Sequence, residues 1–402
     1  MTPLIKSATL AASAVSVALL ASACSSGRHV AVRGTPPPSS AVPASSAPAP
    51  SSASASVPSS PSETAASSVA APAPAASVPS AFQPASVTFV SPSNGFVVGV
   101  APCSAGTCTT LVATTDAGHS WSEIGTPSPR LGGTAGVVSK LRFADSRDGW
   151  LFGPQLWATH DGGKTWHQIS EPGQVTDVEA SGGQAYALVG TRVLRTAVNT
   201  DSWQPVSGVT LTAPARSIAL HGHAAWIVTG SGPGTSKLIT SSDGATWRTL
   251  PDPCAGLGEE WALAGVAPVD VTHVYLLCGG GAAAGSEEKK VLFSSNGGLT
   301  ATPTAVDPPR SGDVRDIAAA STNVVALSAQ SGASWVYRSG DGGHSWPAVL
   351  QQGDGGFGYW DLGFTTSTQG VVIYGQPDMG AGMPTKLLMT RDAGASWAAV
   401  TF

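Results

Sequence analysis

The residues best placed to do chemistry are a small set of charges and aromatics at recurring positions. Lys140, Arg142, Asp177, Glu179, Asp316 and Asp361 each flank an apolar residue of a short β-branched or Leu/Ile-rich run. Arg216, Arg315 and Trp360 lie two places before the equivalent apolar residue, and Trp261 stands in the segment that follows Cys254. Arginine beside an aromatic ring suits sugars, peptides and anionic groups. Carboxylates at suitable separation would instead suit glycoside hydrolysis. The adjacent pairs Glu259/Glu260 and Glu287/Glu288 do not, because neighbours in extended chain point apart. His221-x-His223 reads as exposed turn residues, Gly279–Gly281 lacks the helix and Lys-Ser/Thr of a phosphate loop, and residues 287–290 read as a solvated loop tip.

What positions these residues is an internal repeat. The pattern S/T-x-D-x-G-x-S/T-W runs through Asp116 to Trp121, Asp161 to Trp166, Asp341 to Trp346 and Asp392 to Trp397. Three eroded copies end at Trp203, Trp247 and Ala301; the second is read as Thr240-x-Ser242-x-Gly244-x-Thr246-Trp247. The intervals average about 46 residues, the spacing of propeller blades. A second signature keeps step: a short inner strand, a turn, then an aromatic at Phe96, Trp150, Tyr186, Trp226 and Tyr275, replaced by Val325 and Val371. Each repeat reads as four short strands, with almost no helical periodicity. The expected fold is all-β, a single seven-bladed β-propeller of four-stranded blades over 81–402. Aligned inner strands put Val87, Leu141, Val178, Ile218, Val266, Ile317 and Leu362 in register, so the flanking charges alternate toward a central channel.

Composition agrees. Of 402 residues only 11% are charged, and the net charge is −5. That balance argues against a nucleic-acid partner, which needs a basic face. Residues 1–23 carry one lysine, an apolar run of about 14 residues and Ala21-Ser22-Ala23, a secretory signal too short to span a bilayer at ~20 residues. Residues 24–80, with eleven prolines from Pro36 to Pro79 set in Ser and Ala, read as a disordered tether. Cys103, Cys108, Cys254 and Cys278 fit disulfides in an exported chain. Three pairings are open. The cysteines are too dispersed for a zinc cluster, and no metal or cofactor is expected.

The motifs also resemble known families. Ala21-Ser22-Ala23-Cys24-Ser25 resembles a bacterial lipobox with Ala in place of the usual Leu. The resemblance implies lipidation at Cys24 and membrane attachment; plain secretion is the alternative. The repeat resembles the Asp-box, or BNR, hairpin of sialidase-like propellers. In that family the box closes the turn between third and fourth strands, away from the ligand face, so its Asp residues are structural. Phe143-x-Asp145…Gly149-Trp150…Thr159-x-Asp161-Gly-Gly-x-Thr165-Trp166 also resembles the photosystem II assembly-factor type of propeller. Sialidases of the first family use an arginine triad, a Tyr–Glu nucleophile pair and an Arg-Ile-Pro element before the first box. No Arg occurs between Ala81 and Trp121. The expected function is therefore non-catalytic: a monomeric, lipid-anchored, exported module recognising a glycan, peptide or protein on its loop face. The loops expected there are 127–136, 251–262, 279–290, 306–313, 351–360 and 375–385. A sialidase-like glycoside hydrolase and a structural surface protein are the alternatives.

Overall fold

The computed structural model describes residues 76–132, 137–170, 173–230, 232–353, 355, 357–377 and 385–402. The signal, Cys24 and nearly all of the tether lie outside them. The described chain forms seven antiparallel sheets, six of four strands and one of five. It is a seven-bladed β-propeller. Inner strands Gln83–Phe89, Lys140–Phe143, Val175–Ser181, Ala215–His221, Ala262–Pro268, Asp313–Ala319 and Tyr359–Phe364 touch in sequence, and the last touches the first. No helix among the described residues is long and apolar enough to cross a membrane.

The aromatic signature fills the space between blades. Phe96, Trp150, Tyr186, Trp226 and Tyr275 are all buried, as are Val325 and Val371 in their places. Phe96 stacks on Phe143 of the next blade at 3.8 Å between ring centres. Glycine opens each second strand where an aromatic leans over it: a Cβ on Gly149 would stand 2.6 Å from the Phe143 ring.

The motif turn has the geometry its residue types require. Asp116 accepts the amide of Ser120 at 2.9 Å, its hydroxyl at 2.6 Å and the Thr114 hydroxyl at 2.7 Å. These hydrogen bonds, led by that of the Ser120 hydroxyl, hold the Asp116 pKa well below the usual carboxylate range. In the fourth copy the expected frame through Ser242 is wrong. Ser241 and Asp243 make the turn instead, with Asp243 accepting from Ala245 and Thr246 at 2.9 and 2.7 Å. That copy is one residue shorter between hydroxyl and Trp, not stripped of its carboxylate. In the fifth, Asn296 replaces Asp: it still accepts the Thr300 amide at 2.9 Å, but its side-chain NH2 donates to the Thr300 hydroxyl instead of accepting from it.

Every blade is contiguous in sequence. Ala76–Ser77, placed in the tether by composition, adds a fifth strand outside Ser122–Gly125 of the first blade, not a strand to the last. The ring therefore closes by side chains. Val87, Val97 and Val112 pack on Val371, Ile373, Leu387 and Met389. Phe402 leans on Phe82 and Trp121 at 4.9 and 5.3 Å. At about 1.5–3 kcal/mol for each fully buried aliphatic side chain, apolar burial dominates this closure.

The four cysteines pair as Cys103–Cys108 and Cys254–Cys278. Segment 279–290, expected as a loop, is a long hairpin: Val274–Ala283 pairs with Ser286–Ser294. Nor is 287–290 a solvated tip. Lys289 is buried, its ammonium donating to the carbonyls of Glu287, Arg310, Ser311 and Gly312, while Glu287 accepts the Val314 amide. Burial pulls the Lys289 pKa down to about 8, against the opposing charges of Glu287 and Asp313.

Candidate functional site

The inner strands bring the flanking charges together around the axis. Arg142 pairs with Glu179 of the next blade at 2.8 Å. Lys140 is exposed at the channel yet ringed by protein. That enclosure lowers its pKa, but the charges of Asp361, Asp177 and Asp316 outweigh it and the net shift is upward. Burial pushes Glu179 up; Arg142 opposes this and Asp177 adds to it. Burial also pushes Asp316 up to about 6, against Lys140 and two amide hydrogen bonds.

Most channel carboxylates are already occupied. Asp177 accepts the amide of Ile218, and Asp316 accepts that of Leu362, at 3.0 and 3.1 Å. Asp361 accepts from the Val87 amide at 3.2 Å and from the Ser86 hydroxyl. Ser86 in turn accepts the Leu141 amide at 3.0 Å. In each case the residue just before the register position holds the register amide of the following blade. Asp177, Asp316 and Asp361, expected as ligand groups, thus serve as staples between blades.

The rim residues have a different origin. Inner-strand register slips between Ala215 and Ser217, and again between Val314 and Asp316. The extra residues are Arg216 and Arg315. A bulge leaves its extra residue unpaired and re-aims its side chain, and both arginines are exposed. They stand at the N-terminal ends of inner strands, the end opposite the motif turns. Arg315 lies 6.0 Å from the ring of Trp360 and donates to Gln330 at 3.1 Å; Trp360 donates to the Phe357 carbonyl at 2.9 Å. Arg216 reaches the Leu263 carbonyl at 3.4 Å.

Trp261 does not join this rim as a free ring. It is 8% exposed and packs with Cys254, Leu263 and Cys278. A Cβ on Gly280 would sit 2.9 Å from it, so the glycine run is cut to fit the indole. Packing holds Trp261, expected among the ligand-binding residues; Lys290 reaches over its ring at 5.7 Å. Glu259, Glu260, His221 and His223 are exposed. Parts of three expected loops, at 133–136, 354 and 356, and 378–384, lie outside the described residues. Sequence reasoning missed Ser86 and Gln330 because neither carries a charge to mark it.

Together these features define a propeller with a stapled polar channel and an arginine-and-indole rim. No protein-family model matches the chain, and no curated protein does. Among solved structures, one of YCF48 bound to D1 peptide is similar, with TM-score 0.54 and 21% identity over 79% of this chain and 96% of that one. YCF48 from Cyanidioschyzon merolae is also similar, with TM-score 0.54 and 16% identity over 79% of this chain and 98% of that one.

Proposed function

We propose that the chain is a non-catalytic, exported binding or assembly module that captures an extended segment of a partner protein on its rim. The observation that carries this reading is the Arg315–Trp360 pair, an exposed guanidinium on a bulge set against a half-buried indole, with Arg216 exposed on the equivalent bulge two blades earlier. Arginine and indole together offer a carboxylate-binding fork and an apolar face, the combination enriched where proteins grip peptides. The fold it shares with a YCF48 structure holding a peptide supports the same choice of ligand class. The channel carboxylates are engaged with backbone amides or with Arg142, which leaves them poorly placed as an acid/base pair. The signal and lipobox-like residues at 1–24 support display on the outer face of the cytoplasmic membrane or at the cell surface through Cys24, with 25–75 as spacer. The protein acts as a monomer, without cofactor.

Capture from envelope extract by the full chain, identified by mass spectrometry, tests the reading. Wild type retains a partner that the Arg315→Ala, Trp360→Ala double variant loses while keeping its unfolding midpoint. Equal capture by both would sink the rim as the site. Turnover of a fluorogenic glycoside by wild type would restore the hydrolase alternative.

A further inference from the structure

On the face opposite the rim, four side chains from two blades meet. His160 lies in the motif turn of the second blade and His167 in its outer strand His167–Ile169. Asp201 lies in the third blade's degenerate motif turn. The Nε2 atoms of His160 and His167 both approach Oδ2 of Asp201, at 3.0 and 2.6 Å. The three ligand atoms fall within 4.8 Å of one another. Behind them Asp148, buried at 7% exposure, holds Nδ1 of His160 at 2.5 Å. Asp201 Oδ1 is buried and lacks a hydrogen-bond partner.

We propose that His160, His167 and Asp201 form a divalent zinc site joining the second and third blades. Without an ion, His160 must carry protons on both ring nitrogens to bridge two carboxylates. His167 must then donate a third proton-bearing contact to the same oxygen. With Zn2+, the Asp148 contact fixes the Nδ1–H tautomer of His160 and leaves Nε2 as a lone-pair donor, the usual carboxylate–histidine–metal arrangement. His167 supplies the second imidazole and Asp201 the carboxylate, whose unused Oδ1 gives room for bidentate binding. Two nitrogens and an oxygen suit Zn2+, at about 2.0–2.2 Å from each. Such an ion spaces its ligands roughly 3.4 Å apart, so the present contacts need open by less than ~1 Å. His167 is half exposed, leaving the fourth position to water.

Untagged full-length protein, stripped with chelator, would be titrated with Zn2+ against a chromophoric competitor. One tight equivalent is expected, and Co2+ in its place gives the intense visible band of a four-coordinate ion. His167→Ala removes that equivalent, and Asp148→Asn weakens it about 10–100-fold. His221→Ala with His223→Ala, at a turn of the fourth blade, keeps it. No tight equivalent in wild type, or equal affinity in wild type and His167→Ala, overturns the proposal.

Discussion

Asp361 of the seventh blade accepts the backbone amide of Val87 in the first, 274 positions away in sequence. The same oxygen takes the hydroxyl of Ser86, and Asp361 itself sits in the left-handed region at φ 51°. Apolar packing supplies most of the closing energy, but it is not directional. The carboxylate sets which strand positions meet.

Replacing Asp361 tests that clasp. Loss of hydrogen bonds to a charged acceptor costs about 1.5–3 kcal/mol. Asp361→Ala should lose this and add strain from its positive φ. Asp361→Asn keeps an acceptor, and Asn tolerates that backbone region. Urea midpoints should fall in the order wild type, Asn, Ala; an unchanged midpoint for Ala would remove the clasp.

Stability should pass through a maximum with pH. Asp316 is pushed from 3.8 to about 6, so the folded state binds more protons than the unfolded chain between those values. Its contribution is full below about pH 4 and is lost as pH rises through 6. The motif-turn carboxylates run the other way. Asp161, at about 2, and Asp392, also at about 2, contribute above pH 4 and lose that contribution as pH falls. Unfolding midpoints measured from pH 3 to 8 should peak near about pH 4–5. Asp316→Asn should flatten the decline between 4 and 7, by at most about 3 kcal/mol and less for channel water.

The shortened fourth turn makes a pair of substitutions discriminating. Asp243→Ala lowers the thermal midpoint, because it strips acceptors from Ala245 and Thr246. Ser242→Ala, at the position the repeat frame picks out, leaves the midpoint unchanged. The reverse pattern would restore the original frame.

The two disulfides should differ in effect. Cys254–Cys278 spans 24 positions and Cys103–Cys108 only five. Chain entropy gives about 3–4 kcal/mol for the first and roughly 2 for the second. Cys278→Ser should also loosen Trp261, seen as a red-shifted fluorescence component; Cys108→Ser should not.

Blade number and strand order were legible because they rest on repetition: four intact turns and seven second-strand positions reinforce one another. The charges around the axis were legible for the same reason. What they do was not. Whether Asp177 faces water or the amide of Ile218 depends on how far one blade is offset from the next, which no single repeat encodes. The bulges at Arg216 and Arg315 recur at the equivalent place in the strands of Val87, Val178 and Val266, but the residue types there differ, and one extra residue in a strand looks like a longer loop. Trp261 was misread because its partners, Cys254, Cys278 and Gly280, come from outside both signatures.

Because no sheet borrows a strand from the other end of the chain, each blade is a self-contained unit of inheritance. Unequal recombination at a linker between blades would duplicate or delete a whole sheet without splitting one. What would have to be remade are the side-chain contacts between newly adjoining blades, of the kind that Asp361 makes with Ser86 and Val87 at the seam. The eroded turns at Trp203 and Ala301 are then what is expected of copies that have drifted separately, each inside its own intact sheet.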